Sequence, residues 1–286
     1  MKRSIYFSVV LLLISLAASA QKLPNIQETS LRAPGTIKVD GKATEWNNQF
    51  QAYNKATEVF YTLSNDNERL YLTVQAIDLD IINKIICGGV TLTINGSGKM
   101  KDQGGVAITY PALDKTLFPG NRISPVHTSH GAPPVNLDRP DNWPADSFMV
   151  IINKDLISKA KDIRVEGVKE ISNHLLSIYN QEGIKASALF DNKTAFTSEL
   201  AIPLKYLGLS ANMPKPFVYN IKLKGMETDL NDQRSVGDAI RSQREAMRAG
   251  FLMYPTPDVI IGGPETPRLK YLFTPADFWG EYTLAK

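Results

Sequence analysis

Apolar and polar side chains alternate most strictly between residues 69 and 76. Leu70, Leu72, Val74 and Ala76 interleave with Arg69, Tyr71, Thr73 and Gln75. A period of two places one face of a strand on a core and the other toward water or a second layer. The preceding run, 59–64, is rich in β-branched and aromatic residues and forms the partner arm. Asn65-Asp66-Asn67-Glu68 supplies turn residues between the arms. Upstream, 36–39 reads as a short strand, Asp40-Gly41 as a turn and Trp46 as a core residue.

Further strands follow. Val90, Leu92 and Ile94 alternate with Thr91, Thr93 and Asn95, and 105–110 is the next candidate. The apolar run 148–152 suits a central strand, 155–161 a helical turn and 163–165 a strand. Runs 175–179 and 184–190 read as a hairpin across Gln181-Glu182-Gly183; 196–204 and 217–223 complete the set. The expected fold is all-β: one antiparallel β-sandwich, jelly-roll or immunoglobulin-like, over 35–286. Two insertions interrupt it. The first, 111–146, is rich in proline and has no period, as functional or disordered loops do. The second, 227–267, has helix formers at its centre and carries Arg241, Arg244 and Arg248 on one helical face. It is expected to hold a short helix whose basic stripe is solvated. Cys87, in an apolar run, reads as a small buried hydrophobe.

The first twenty residues have the pattern of a secretory signal. Lys2 and Arg3 precede an apolar run, 5–16, that is short for a membrane span, and Ala18-Ser19-Ala20 is a small-residue cleavage site. The expectation is export to the periplasm or beyond the cell, with 21–34 as an extended leader. No later run is long and apolar enough to span a membrane. Without Lys2 and Arg3 the formal charge falls from +3 to +1. That balance argues against nucleic acid or an anionic membrane as partner.

Three stretches carry a family resemblance. They are Ile37-Lys38-Val39-Asp40-Gly41 with Glu45-Trp46 and Leu70-Tyr71-Leu72; Ser198-Glu199-Leu200-Ala201-Ile202-Pro203-Leu204 continuing to Leu207-Gly208-Leu209; and Phe278-Trp279-Gly280-Glu281-Tyr282-Thr283-Leu284. In this order they resemble the family 9 carbohydrate-binding module-like domains, relatives of the DOMON sandwiches. The resemblance implies a β-sandwich that binds a saccharide without cleaving it. It carries over no ligand residues, because the middle of the chain departs from the family pattern. The alternative is a structural or assembly protein of the cell envelope, with an envelope protein as partner, that keeps the sandwich without a sugar site. A haem carrier of DOMON type, with Met149 and a histidine as axial ligands, comes third.

Saccharide binding needs an apolar or aromatic wall and a few placed polar groups. Trp143 lies in Arg139-Pro140-Asp141-Asn142-Trp143-Pro144, a polar loop sequence. It is either an exposed stacking platform, with Asn142, Asp141, His127 and His130 at its rim, or a plug at the sandwich edge. Trp279 is core or a lid over the sandwich end. His127 and His130 have metal-pair spacing, but the surrounding prolines argue against a helix and no third ligand completes a zinc set. Asp78 and Asp80 could offer oxygens to calcium, though no EF-type loop follows; turn residues are the plainer reading, and no cofactor is required. No Gly-x-Ser-x-Gly, His-Glu-x-x-His or phosphate loop is present, so the expectation is a non-enzyme. If Trp143 is the platform, Trp143→Ala weakens saccharide binding by about 1–3 kcal/mol, by analogy with base stacking. The melting temperature then stays nearly unchanged. A plug instead loses about 3–5 kcal/mol of stability on the same truncation, so calorimetry of the variant separates the two.

Overall fold

A computed structural model describes residues 23–112, 150, 153–154, 156–212, 214–225 and 274–286. The protein is an all-β sandwich of two antiparallel sheets with a short helix. The first sheet has five strands in the order β1 (Ala52–Asn54), β2 (Val59–Asn65), β3 (Arg69–Ala76), β9 (Phe196–Pro203) and β8 (Lys185–Phe190). The second has six: β11 (Ala276–Tyr282), β10 (Phe217–Leu223), β4 (Val90–Asn95), β5 (Val106–Tyr110), β6 (Asp162–Glu166) and β7 (Leu175–Ser177). The alternation seen in the sequence builds the core. Leu70, Leu72 and Val74 of β3 and Leu200 and Ile202 of β9 share one cluster with Leu92, Ile94, Tyr219 and Ile221 of the other sheet. Each such side chain, fully buried, contributes roughly 1.5–3 kcal/mol. At the centre the hydroxyls of Tyr61 and Tyr219 meet at 2.9 Å across the sheets. Burial pushes both phenols upward, so both are neutral and each can donate or accept.

Side-chain amides close the edges that strands leave open. The Gln27 side chain donates to Leu63 O at 2.8 Å, and its Oε1 accepts from Leu63 N at 2.7 Å. It thereby pairs β2 where the short β1 has stopped. Two residues on, Asn65 N donates to Leu31 O and Ala33 N to Asn65 O, a parallel bridge. The stretch 21–34, expected to be a leader, packs on the sandwich from Pro24 onward: Pro24 O accepts from Tyr53 N of β1, and Gln27 and Leu31 pair β2 where β1 is too short to reach.

Other expectations change as well. Residues 36–39 form no strand; Ile37 and Val39 pack on Tyr71, Ala33 and Ala201 instead. The expected hairpin of 175–179 with 184–190 does not form, since β7 and β8 belong to different sheets. The Asn180 side chain clamps Ile184 N (3.2 Å) and O (2.8 Å) as the chain crosses over. Val150 is helical and exposed, against the strand expected over 148–152; helical backbone continues at 153–154 and 156–159. Leu156 and Ala160 reach the core from there. Another helix, α1 (Leu79–Gly88), lies between β3 and β4. The one expected within 227–267 is outside the described residues. Asp78 caps α1, accepting from Asp80 N and Ile81 N, and Ile81, Ile82, Ile85 and Ile86 face the core. Cys87, on the far side of the stripe, is only half-buried.

Gln27→Ala leaves Leu63 N–H and C=O buried and unpaired. We expect a loss of about 2–3 kcal/mol in urea unfolding with an unchanged denaturant slope; a loss under half a kcal/mol would show that water replaces the clamp.

Candidate functional site

Both long connections leave the sandwich at one end. Val90, at the start of β4, is in register with Tyr110 at the end of β5 and with Leu223 at the end of β10; Leu223 in turn faces Ala276, the start of β11. Ala112 N donates to Asp162 O at 2.9 Å, where β6 begins. Segments 112–161 and 224–275 are thus rooted side by side. α1 bridges β3 to β10 at the same end. A Cβ on Gly88 would collide with the Gly225 backbone, so α1 and the second root approach as only glycine permits. Loops gathered at one end of a sandwich are where binding surfaces are commonly built.

A cleft of ≈ 600 Å³ opens there on the five-stranded sheet. Its apolar wall comes from Ala43, Ile77, Leu189 and Phe190. Planar amides surround it: Asn48, Gln75, Asn153 and Asn192. Lys42, Lys193 and Asp191 add charge at the exposed rim. Asn153 comes from the first inserted connection and clamps Phe190 through N (2.8 Å) and O (2.9 Å), which fixes that side of the cleft to β8. The β8–β9 turn on the rim contains Thr194 at φ +67°, a left-handed conformation unusual for a β-branched residue. Asp191 Oδ1 holds this turn by accepting from Lys193 N and Ala195 N, each at 2.8 Å. Asn48, on the opposite rim, is also left-handed at φ +55°. Strained turns of this kind gather at ligand sites.

Behind the cleft lies a buried carboxylate. Thr62, Thr73, Glu199 and Ser187 stand in register on the outer face of the five-stranded sheet. Residues 37–46 cross this face as a strap. Glu199 is 3% exposed. Its Oε2 accepts from Asp40 N (3.0 Å) and Gly41 N (2.8 Å), and its Oε1 accepts from the Thr73 hydroxyl at 3.2 Å. The Trp46 indole N–H donates to the same Thr73 oxygen at 3.3 Å, which leaves the hydroxyl hydrogen for Glu199. Trp46, expected in the core, is half-buried on this strap instead. Gly41 has φ +83°, and a Cβ there would stand 2.8 Å from Leu189 N. Burial pushes Glu199 up from 4.5 to about 7, the like charges of Glu45 and Asp40 add to the rise, and the two backbone donors only partly offset it. The motifs around Asp40-Gly41 and Glu199, far apart in sequence, are thus two halves of one contact. Sequence reasoning did not single out Glu199; the available signal was a lone acid inside an apolar strand.

Two other surfaces compare less well. A cleft of ≈ 460 Å³ at the opposite end of the same sheet is lined by Glu68, Arg69, Glu182 and Lys205. Arg69 there is spent on Gly183 O, and the Lys205 ammonium lies 4.7 Å over the Tyr206 ring. On the outer face of the six-stranded sheet, Trp279, Asn220 and Thr93 stand in register. Trp279 lies within β11, half-buried, and neither in the core nor capping an end. Asn220 and Thr93 are 0% and 4% exposed, so this row offers no open surface.

Of the residues singled out from sequence, Trp143, Asn142, Asp141, His127 and His130 lie outside the described residues, as does Met149. Asp78 and Asp80 sit at the start of α1, where Asp78 Oδ1 serves the cap. Among the described residues no three His, Cys, Asp or Glu side chains gather as a metal site. Also among them, no helix is long and apolar enough to cross a membrane. No protein-family model matches this chain, and no curated protein matches it significantly.

A carboxyl whose pKa is higher folded than unfolded binds its proton more tightly in the native state. Its contribution is therefore fully present below about 4.5 and declines as pH rises to about 7. Glu199→Gln stays neutral throughout. Subtracting the variant's unfolding free energy from the wild type's should give a difference that falls by up to about 3 kcal/mol over this window; a difference flat in pH would show Glu199 ionising as freely as in the unfolded chain.

Proposed function

We propose that this protein is an exported, non-catalytic saccharide-binding sandwich, and that the cleft beside the Asp40–Gly41 turn holds the ligand. The observation that carries this reading is the pairing of an apolar wall with planar amides. Ile77 is 62% exposed and Leu189 stands beside it, while Asn48, Gln75 and Asn192 can each donate and accept. A pyranose has the complementary halves: axial C–H faces for the wall and vicinal hydroxyls for the amides. The secretory pattern of the first twenty residues and the resemblance to family 9 carbohydrate-binding modules agree with it. So does the position of the cleft, at the root of the insertion that bears Trp143.

The test is a glycan array on the full mature chain, followed by calorimetry on hits. Ile77→Arg and Asn192→Ala change exposed side chains, so stability should move by no more than about 0.5 kcal/mol. Each should weaken binding at least tenfold, which is about 1.4 kcal/mol. Hits unaffected by both changes would move the site elsewhere. An array with no hit at millimolar affinity would favour the structural role in the envelope.

A further inference from the structure

The row of side chains that floors the cleft continues past it. Tyr53 of β1, Phe60 of β2, Gln75 of β3, Thr197 of β9 and Leu189 of β8 stand in register across all five strands. Their chain neighbours Ala52, Val59, Val74, Phe196 and Ala188 belong to the core, so the five side chains face outward. Gln75, Thr197 and Leu189 line the cleft, and Tyr53 and Phe60 carry the row on to the edge of the sheet. Strands lie about 4.8 Å apart, so the row runs about 19 Å, longer than a single sugar ring.

We propose that Tyr53 and Phe60 form a second sugar subsite beside the cleft, so that the ligand is a neutral oligosaccharide lying across the strands of the five-stranded sheet. This subsite rests on the reading of the cleft given above.

The two rings are half-buried, with centroids 4.7 Å apart and planes inclined at 49°. Phe50, just before β1, packs on Phe60 at 5.8 Å and is itself buried. It props the pair from one side, so the platform is ordered before a ligand arrives and little freedom is lost on binding. Gln75 stands between the two subsites, directly opposite Phe60. Its Nε2 donates to Thr197 Oγ1 at 3.0 Å, which fixes the amide and leaves its Oε1 and second N–H for sugar hydroxyls. Ile77 follows two residues on from Gln75 on the same face and extends the apolar surface beside it. At the far end the Tyr53 hydroxyl bonds to none of the described residues and is open to a further hydroxyl. None of the five row residues is charged, which suits a neutral ligand. Flat ring faces, then an amide, then an aliphatic wall match the succession of C–H faces and hydroxyls along linked pyranoses.

The test is calorimetry on the full mature chain with glucose oligomers of increasing length, from monomer to tetramer, in β-1,4 and in α-1,4 linkage, and with the same ladder of any other sugar that the array returns. In one ladder the trimer should bind at least about tenfold more tightly than the monomer. Tyr53→Ala should cut that advantage at least about fivefold, the lower end of an aromatic stacking contact. Should this variant not fold, Phe60→Leu asks the same question, since it keeps an apolar side chain and removes the flat face. Asn192→Ala, on the far rim of the cleft, should weaken monomer and trimer alike and leave their ratio as it was. A ring that only supports the fold would do the same, so the ratio separates contact from support. Equal affinity at every length, or a ratio unchanged in both aromatic variants, would overturn the second subsite and leave the cleft as the site. Blank ladders together with a blank array would overturn the saccharide reading and the subsite with it.

Discussion

A backbone N–H or C=O removed from water must find a partner, and this sandwich depends on how it meets that demand at its edges. Strands alone do not suffice, because β1 has three residues and β7 has three. Side-chain amides take over as single-residue strands. Gln27 pairs both groups of Leu63, Asn153 pairs both groups of Phe190, and Asn180 pairs both groups of Ile184. Asn65 does the same for Ala285, accepting from its N at 2.7 Å and donating to its O at 3.0 Å. Three of the clamps tie an irregular segment to a strand: Gln27 to β2, Asn153 to β8 and Ala285 to β2; the fourth, Asn180 to Ile184, closes the crossover between the sheets. An amide suits the task because it offers one donor edge and one acceptor in the spacing of a peptide group. The same devices blunt the edges against pairing with another chain.

The outer face of the five-stranded sheet shows a second use of the same economy. Its polar row of Thr62, Thr73, Glu199 and Ser187 would be unremarkable in water. Under the strap it has to be satisfied internally. Three donors converge on Glu199, and the turn that supplies two of them is the one that only glycine can make against Leu189. Support for the cleft wall and burial of a carboxylate are therefore one structural fact.

Much of the architecture was legible in the sequence for a physical reason. A sandwich strand with one buried face must alternate, so β3, β4 and β10 could be read to within a residue. What failed were the elements whose partners are side chains or distant segments. Trp46 looked like core because it is large and apolar; its indole N–H, needed by Thr73, holds it at the strap. Val150 looked like a central strand because its neighbours are apolar, yet periodicity cannot separate a short buried strand from a helix that buries one face. α1 was missed although Asp78 before Ile81, Ile82, Ile85 and Ile86, with glycines at the end, is a capped amphipathic helix. Asp78 and Asp80 drew attention as oxygen donors, and the structure shows Asp78 Oδ1 capping α1. Of the cleft, almost nothing was legible, since its residues come from four separate stretches of chain.

The position of that cleft follows from topology rather than from any motif. Antiparallel register sends β5 and β10 out of the sheet at the end where β4 begins, so both long connections must emerge beside α1. β3 and β8 end there too, and their last residues, with the β8–β9 turn, form the cleft's wall. The opposite end has shorter connections, among them the tight turn in which Asp66 Oδ1 accepts from Glu68 N and Arg69 N at 2.7 Å each. The two longest connections therefore share one end of the sandwich. Extra sequence accumulates where it does not disturb a turn that sets register. Thr194 and Asn48, both left-handed, lie at that end, where Asp191 holds the β8–β9 turn and Glu199 the Asp40–Gly41 turn.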